Sequence, residues 1–323
     1  TANISGVTTL DVSNKEISDL TGIEAFTSLT SLSCHNNKLT SLDVSSNTNL
    51  THLNCDGNQL TSLDVSKNTA LTEIILEGNQ LTSLDINSNT SLVHLNCTSN
   101  KLTSLDVSNN TALTWIEFIA NQLTSLDLSK NTALLNIDGW DNALTSLDVS
   151  NNTALIELNV NNNSLTSLDV TTNTALTSLY LYAAGTLTSL DVSKNTALNY
   201  LNCAKNQLTS LDVSSNTALI SLFCEDNLFT NLDVSKNTTL NSLTIERNQL
   251  TSLDVSKNTA LTTLRCSSNK LTSLDVSNNT ALIELDSHNN QLTSLDVSSN
   301  TALTGLYCYN NQLTSLDVSS NIA

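Results

Sequence analysis

Residues 261–281 read LTTLRCSSNKLTSLDVSNNTA, and the reading of this string decides the fold. Leu261, Leu264, Cys266, Leu271, Leu274 and Val276 hold positions 1, 4, 6, 11, 14 and 16, with mostly polar residues between them. Positions 4 and 6, and again 14 and 16, alternate with polar neighbours as strands do when one face is buried. So short a string cannot bury its own apolar edge, but stacked copies form a continuous core. The chain supplies the copies. Fourteen units begin at Leu29, Leu50, Leu71, Leu92, Leu113, Leu134, Leu155, Leu176, Leu198, Leu219, Leu240, Leu261, Leu282 and Leu303; thirteen have 21 residues and the one from Leu176 has 22. A divergent unit, residues 7–28 (VTTLDVSNKEISDLTGIEAFTS), precedes them. The expected organisation is an N-terminal cap repeat over residues 1–28, then one continuous solenoid over residues 29–323.

The phrase LxxLxCxxNxL resembles the leucine-rich repeat. The second half of each unit, LTSLDVSxN, repeats the phrase 10 residues later, and this nesting is similar to the short bacterial repeats called IRREKO repeats. The opening ISDLTGIEAF is similar to internalin repeats. The resemblance implies a horseshoe or flattened right-handed coil with a parallel β-sheet on its concave face. It also implies a secreted or cell-surface bacterial protein that binds other macromolecules. The segment TSLDVSxNTA is short and poor in helix formers, so the convex side is expected to be extended or 3-10, with little or no α-helix.

Composition excludes several alternatives. The chain of 323 residues has no Pro, no Met, 7 Gly and 39% hydrophobic residues, which suffices for a core if they are placed regularly. No stretch approaches the ~20 apolar residues of a membrane-spanning helix, so no membrane insertion is expected. A net charge of −18 repels phosphate backbones, which disfavours nucleic acid as a partner. Neither an initiator Met nor a signal peptide is present, so a processed or trimmed chain is expected. The end at Ala323 leaves the last coil without a neighbour, as a fragment of something longer would.

Asn recurs at unit position 9 (Asn58, Asn121, Asn269) and position 19 (Asn68, Asn131, Asn279), where buried amides are expected to bind the backbone of neighbouring coils. All seven Cys (Cys34, Cys55, Cys97, Cys203, Cys224, Cys266, Cys308) stand at position 6, which other units fill with Leu76, Phe118 or Val160. They read as core residues, and their odd number and spacing exclude a disulfide framework. His52 and His94 share position 3 two coils apart, about 10 Å, too far for one zinc ion. No phosphate loop, HExxH or calcium-loop motif occurs, so the chain is read as a non-enzyme without a cofactor or a dedicated metal site. Fourteen Asp, from Asp43 to Asp317, hold position 15; without them the charge would be −18 + 14 = −4. The expected role is a solvated ladder bonded to flanking Ser and offset by Lys67, Lys130, Lys194, Lys236 and Lys257. Weak calcium binding by this ladder is the sharper expectation.

What varies between units is not needed for the fold. Positions 2, 3, 5, 7 and 8 vary while TSLDVS barely does, and every Trp and Tyr falls at position 3, 5 or 7. Trp115, Trp140, Tyr180, Tyr182, Tyr200 and Phe223 are the candidate ligand-binding aromatics, with Ile119 extending them and Glu117, Asp138 and Glu157 as an acidic rim. The expected ligand is a protein or a glycan held on the concave face. Two alternatives remain: an inert surface spacer within a longer protein, and a convex Asp/Ser/Thr ladder that binds cations or an ordered surface such as mineral or ice.

Overall fold

The computed structural model describes residues 4–322, so Ala323 and the first three residues lie outside the description. Among the described residues the chain folds as fifteen three-residue strands, one per coil, which within each unit are parallel and paired in chain order. Contacts divide them between two compact units. One takes the chain to Leu155 together with Asn162–Ser164, and the other holds Ile156–Asn161 and the chain from Leu165 onward.

The first unit carries seven strands, from Thr9–Asp11 to Asn136–Asp138. Their central residues face one another in strict register: Leu10 opposite Leu32, Leu32 opposite Leu53, Leu53 opposite Ile74 and Ile116 opposite Ile137. The second unit carries eight, from Glu157–Asn159 to Gly305–Tyr307, in the same register (Leu201 opposite Leu222, Leu222 opposite Leu243). A coil of constant length dictates this register, because each residue meets its own counterpart in the next coil. The apolar positions of the repeat are buried in both units; Leu50, Cys55, Leu60 and Val65 in the first and Leu261, Leu264, Cys266 and Val276 in the second have no exposure. The Leu at position 14 marks the core's edge, as Leu63 and Leu274 show at 8% and 7% exposure. A single 3-10 turn, Ile23–Ala25, lies in the opening cap repeat; elsewhere the side opposite the sheet is turns and extended chain among the described residues.

The Asn ladders do the backbone work that the sequence implies. At position 9, Asn58 donates from Nδ2 to the carbonyls of Cys34, Cys55 and Asp56 at 3.1, 3.0 and 3.1 Å, and its Oδ1 accepts the Leu39 N–H at 3.0 Å. At position 19, Asn68 donates to Val44 and Asn47 carbonyls, both at 2.9 Å. One amide thus stitches its own turn to the coil before it.

Position 8 is a feature that the sequence hides. In every unit from Asn36 to Asn310 this residue has a positive φ, whether it is Gly57 (60°), Ala120 (50°), Lys205 (53°) or Arg247 (49°). The left-handed turn sits between the strand's end and the Asn of position 9 and reverses the chain there. Non-glycine residues rarely adopt it, so its repetition means that the two flanking ladders hold the backbone in place.

The long unit absorbs its extra residue at this same turn. Ala184, fully buried, takes the place of the ladder Asn, and Gly185 carries the insertion at φ 148°. The Leu165 N–H, which elsewhere meets an Asn Oδ1, donates to the Ala184 backbone carbonyl at 2.8 Å instead. The expected bulge is therefore present, and a backbone oxygen substitutes for the missing amide. Its cost falls one coil on, where the buried Asn206 Oδ1 has no partner.

Candidate functional site

The strand alternation sends position 4 inward and positions 3 and 5 outward, and position 7 follows the inward position 6 on the same outer face. The ten candidate residues therefore line the variable face of the sheet, but they fall in separate units. Trp115, Glu117, Ile119, Asp138 and Trp140 belong to the first; Glu157, Tyr180, Tyr182, Tyr200 and Phe223 belong to the second.

In the first unit Trp115 and Trp140 are each 44% exposed, large apolar area for a soluble surface. Trp115 packs on His94 with ring centroids 5.0 Å apart. His94 is held from both sides: Nδ1 lies 3.0 Å from Glu73 Oε1 and Nε2 3.1 Å from Glu117 Oε2. Only an imidazolium donates from both nitrogens. The bond to Glu117 chiefly raises the His94 pKa, burial opposes it, and the bond to Glu73 adds to the rise. Glu117 is thus tied into a three-coil clamp rather than standing as a loose rim charge. Asp138 accepts the Trp140 N–H at 3.3 Å, and Ile119 is half-buried. Val93 and Leu135, at position 2, are also exposed (39% and 37%), apolar residues that the sequence did not single out.

In the second unit Tyr180, Tyr200 and Phe223 form a run of tilted rings with centroid separations of 4.7 and 5.4 Å, within the range of attractive aromatic pairs. Burial is the main cause of a raised Tyr200 phenol pKa, with Tyr180 and Glu225 nearby. Lys205 Nζ sits 4.8 Å from the centre of the Tyr182 ring, and the Tyr182 N–H is anchored on Asn161 Oδ1 at 2.6 Å. Glu157 is half-exposed on the strand Glu157–Asn159. Beyond Phe223 the face turns to charge: Arg247 holds Asp226, Arg265 holds Glu284 at 2.8 Å, and His288 stacks on Tyr309 at 4.5 Å and 14°. Arg265, Glu284, Asp286, His288 and the two Tyr at positions 307 and 309 line an open hollow of about 250 Å3.

The opposite side of each coil is uniform. Each ladder Asp accepts the N–H two residues on, from Ser in most coils, as in Ser45 N–H to Asp43 and Ser277 N–H to Asp275, both 2.9 Å, and from Asn87 at Asp85 and Thr171 at Asp169. The Ser side chain is the larger cause of a lowered Asp275 pKa and the backbone bond the next, while Asp254 and Asp296 oppose. Lys67 and Lys257 lower Asp64 and Asp254 further, as the offset required. Among the described residues no group of three or more His, Cys, Asp or Glu is placed to hold a metal ion. No described helix is long and apolar enough to cross a membrane.

The cysteines are free; all are buried except Cys308, which is partly open in the last coil. Burial pushes the Cys97 and Cys203 thiols up to about 12, so these two are not reactive thiolates.

The strand-per-coil stack, the inward Leu columns and the Asn ladders make this a leucine-rich-repeat solenoid. Residues 27–68 match the family model for leucine-rich repeats in two copies. No curated protein is similar enough in sequence to count as a relative. Among solved structures, the chain is similar to the functional domain of InlJ from Listeria monocytogenes, described as including a cysteine ladder, at 38% identity and a TM-score of 0.81. The match covers 98% of this chain and 66% of that one, so the chain spans just under two thirds of the Listeria domain. YopM from Yersinia pestis is similar at 26% identity and a TM-score of 0.77 over 95% of this chain and 84% of that one. The leucine-rich-repeat protein LIC12759 of Leptospira interrogans is similar at 25% and 0.78, over 95% and 79%.

Proposed function

We propose that the chain is a non-enzymatic scaffold of a secreted or surface-attached bacterial protein, and that it binds a protein ligand on the variable face of its sheet. One observation carries this reading. Within a repeat whose core and far side barely change, the Trp and Tyr residues and Phe223 concentrate on one face and stand partly or largely exposed there. Packing does not explain them, because Leu fills the core beneath. Exposed aromatics in clusters supply contact area at low entropic cost, which is how binding hot spots are built. The likeness to InlJ and YopM, both bacterial, supports the bacterial part of the reading. The absence of any motif for bond-making chemistry fits a scaffold.

The test is a pull-down with the immobilised chain from extracts of candidate host cells. Wild type is compared with Trp115→Ala, with Tyr180→Ala/Tyr200→Ala, and with Asp275→Asn on the opposite side. A partner held by wild type and Asp275→Asn but lost from either sheet-face variant of unchanged melting temperature supports the proposal. A partner that ignores both sheet-face variants refutes it. Lanes empty for every protein favour the spacer reading.

A further inference from the structure

We propose that the second unit carries a subsite for a lysine or arginine side chain of the partner, walled by Tyr200 and Phe223 and closed by the carboxylates of Glu225 and Glu246. The inference rests on the sheet-face reading and names the chemistry of the ligand there.

The argument starts from the chain direction. Phe223 and Glu225 flank the inward Cys224, so both project from the outer face of the same coil. Register places Tyr200 in the coil before, because Asn202 lies opposite Phe223, and Glu246 in the coil after, because Phe223 lies opposite Thr244. Tyr200 and Phe223 are 5.4 Å apart as rings, and the Glu225 charge reaches the Tyr200 phenol. An aromatic wall therefore ends on an acidic pair.

Those carboxylates are short of cations. Arg265, in the next coil, acts on Glu246 but gives its bonds to Glu284, and Glu225, Asp226 and Glu246 otherwise share the nearby Arg247 guanidinium. Arg247 commits it to Asp226 with two bonds, Nε to Oδ1 at 2.5 Å and Nη2 to Oδ2 at 2.9 Å, and reaches Glu246 only at 3.4 Å. Lys205, on the other side, is turned over the Tyr182 ring. None of these three cations donates to Glu225. Its Oε2 is sealed from solvent with no hydrogen-bond partner, an expensive state for an ionised oxygen. The carboxyl pKa is raised, chiefly by burial; its own backbone N–H opposes, the charges of Glu246 and Asp226 add to the rise, and the Arg247 charge offsets part of it.

A cation is what this arrangement lacks. An ammonium or guanidinium entering beside Tyr200 and Phe223 gains the ring faces and neutralises Glu225 and Glu246. An anion finds three carboxylates, and an uncharged aliphatic leaves Glu225 uncompensated. The site therefore selects against both, and selection by unpaired charge is how specific interfaces exclude wrong partners.

The probe is fluorescein-labelled octalysine, titrated by anisotropy against the full chain at an ionic strength of about 0.15 M, where long-range attraction to the acidic surface is screened. Four proteins are compared: wild type, Glu225→Gln, Tyr200→Ala and Asp275→Asn. The last removes the same charge from the far side of the same unit and keeps its Ser-capped turn. Expected is a loss of about tenfold or more for Glu225→Gln, a smaller loss for Tyr200→Ala, and no change for Asp275→Asn. Equal effects of Glu225→Gln and Asp275→Asn, or no octalysine binding by wild type, overturn the subsite. The two readings fail separately. A pull-down partner lost from the Tyr180→Ala/Tyr200→Ala variant but kept by Glu225→Gln leaves sheet-face binding standing and removes the cation subsite.

Discussion

Gly139 and Phe118 occupy the same inward position in consecutive coils of the first unit, and the glycine exists to make room for the ring. A Cβ on Gly139 would stand 2.3 Å from Phe118 Cζ and 2.4 Å from Cε2, well inside contact distance. Phe118 is fully buried, so its ring has no solvent side to swing towards. The column is filled elsewhere by residues of middling size such as Cys97 and Val160. Here one coil is overfilled and the next underfilled, and the volume of the column is kept.

Gly139→Ala is therefore expected to destabilise the chain by about 1–3 kcal/mol in urea unfolding, the usual cost of overpacking a tight core. Coupled to Phe118→Leu, the same change should cost much less, because the methyl then has space. Additive losses in the double variant would show that Gly139 serves the backbone rather than the ring.

This pair was readable in the sequence, as two departures from the repeat at the same position in neighbouring units. So was the core, because strict periodicity names every inward residue, and so was the outward placement of Trp115 and Tyr200. Other features were not readable. The left-handed turn at position 8 is occupied by Asn36, Gly57, Ser99, Ala120, Lys205 and Arg247 among others, and so varied a column announces no backbone requirement. The flanking Asn ladders impose it, and propensity does not. The His94 clamp depends on which rotamers neighbouring coils adopt, although Glu73, His94 and Trp115 share position 3 in consecutive units. The Glu225 carboxylate that no cation bonds was hidden for a third reason: which acid Arg247 chooses is a matter of geometry, and composition counts only the totals.

The His94 clamp has a defined pH response. Its folded pKa lies above the ordinary 6.5, so the clamp's contribution to stability is complete below pH 6.5 and is lost as pH rises through the folded value. The His94 imidazole should titrate above 6.5 by NMR, and mildly alkaline pH should lower the melting temperature. His94→Gln should abolish that part of the pH dependence. A titration at or below 6.5 would mean that burial outweighs the two carboxylates.

The Asp ladder responds in the opposite direction. Bonds from Ser hold Asp43, Asp127, Asp212 and Asp296 below the ordinary 3.8, so their contribution is present above that value and is lost as pH falls through the lower folded values. Unfolding should accordingly set in below about pH 3.8 and shift little between pH 5 and 6. Each ladder Asp already spends one oxygen on its own turn, and no metal-sized cluster forms among the described residues. Calcium should then raise the melting temperature no more than sodium at matched ionic strength. A larger rise would revive the ladder as a cation surface.

The long unit offers the sharpest test of what the Asn ladder contributes. Its Ala184 supplies a backbone carbonyl to the Leu165 N–H, which satisfies that donor, but it has no amide to donate onward. The insertion also leaves Asn206 Oδ1 buried and unpartnered, whereas Asn227, one coil later, accepts the Leu208 N–H at 3.0 Å. Deleting Gly185 together with Ala184→Asn would return the unit to YANTLTSL and its standard length. That variant should be more stable by about 1–3 kcal/mol, the desolvation cost of one buried polar group plus the bonds of a new ladder amide. Deletion of Gly185 alone should gain less or lose, because Ala184 would sit in the ladder without an amide. Should the repaired chain gain stability yet lose its partner in the pull-down, the insertion shapes the binding face beside Tyr180 and Tyr182; gain without loss would make it a copying scar that the fold tolerates.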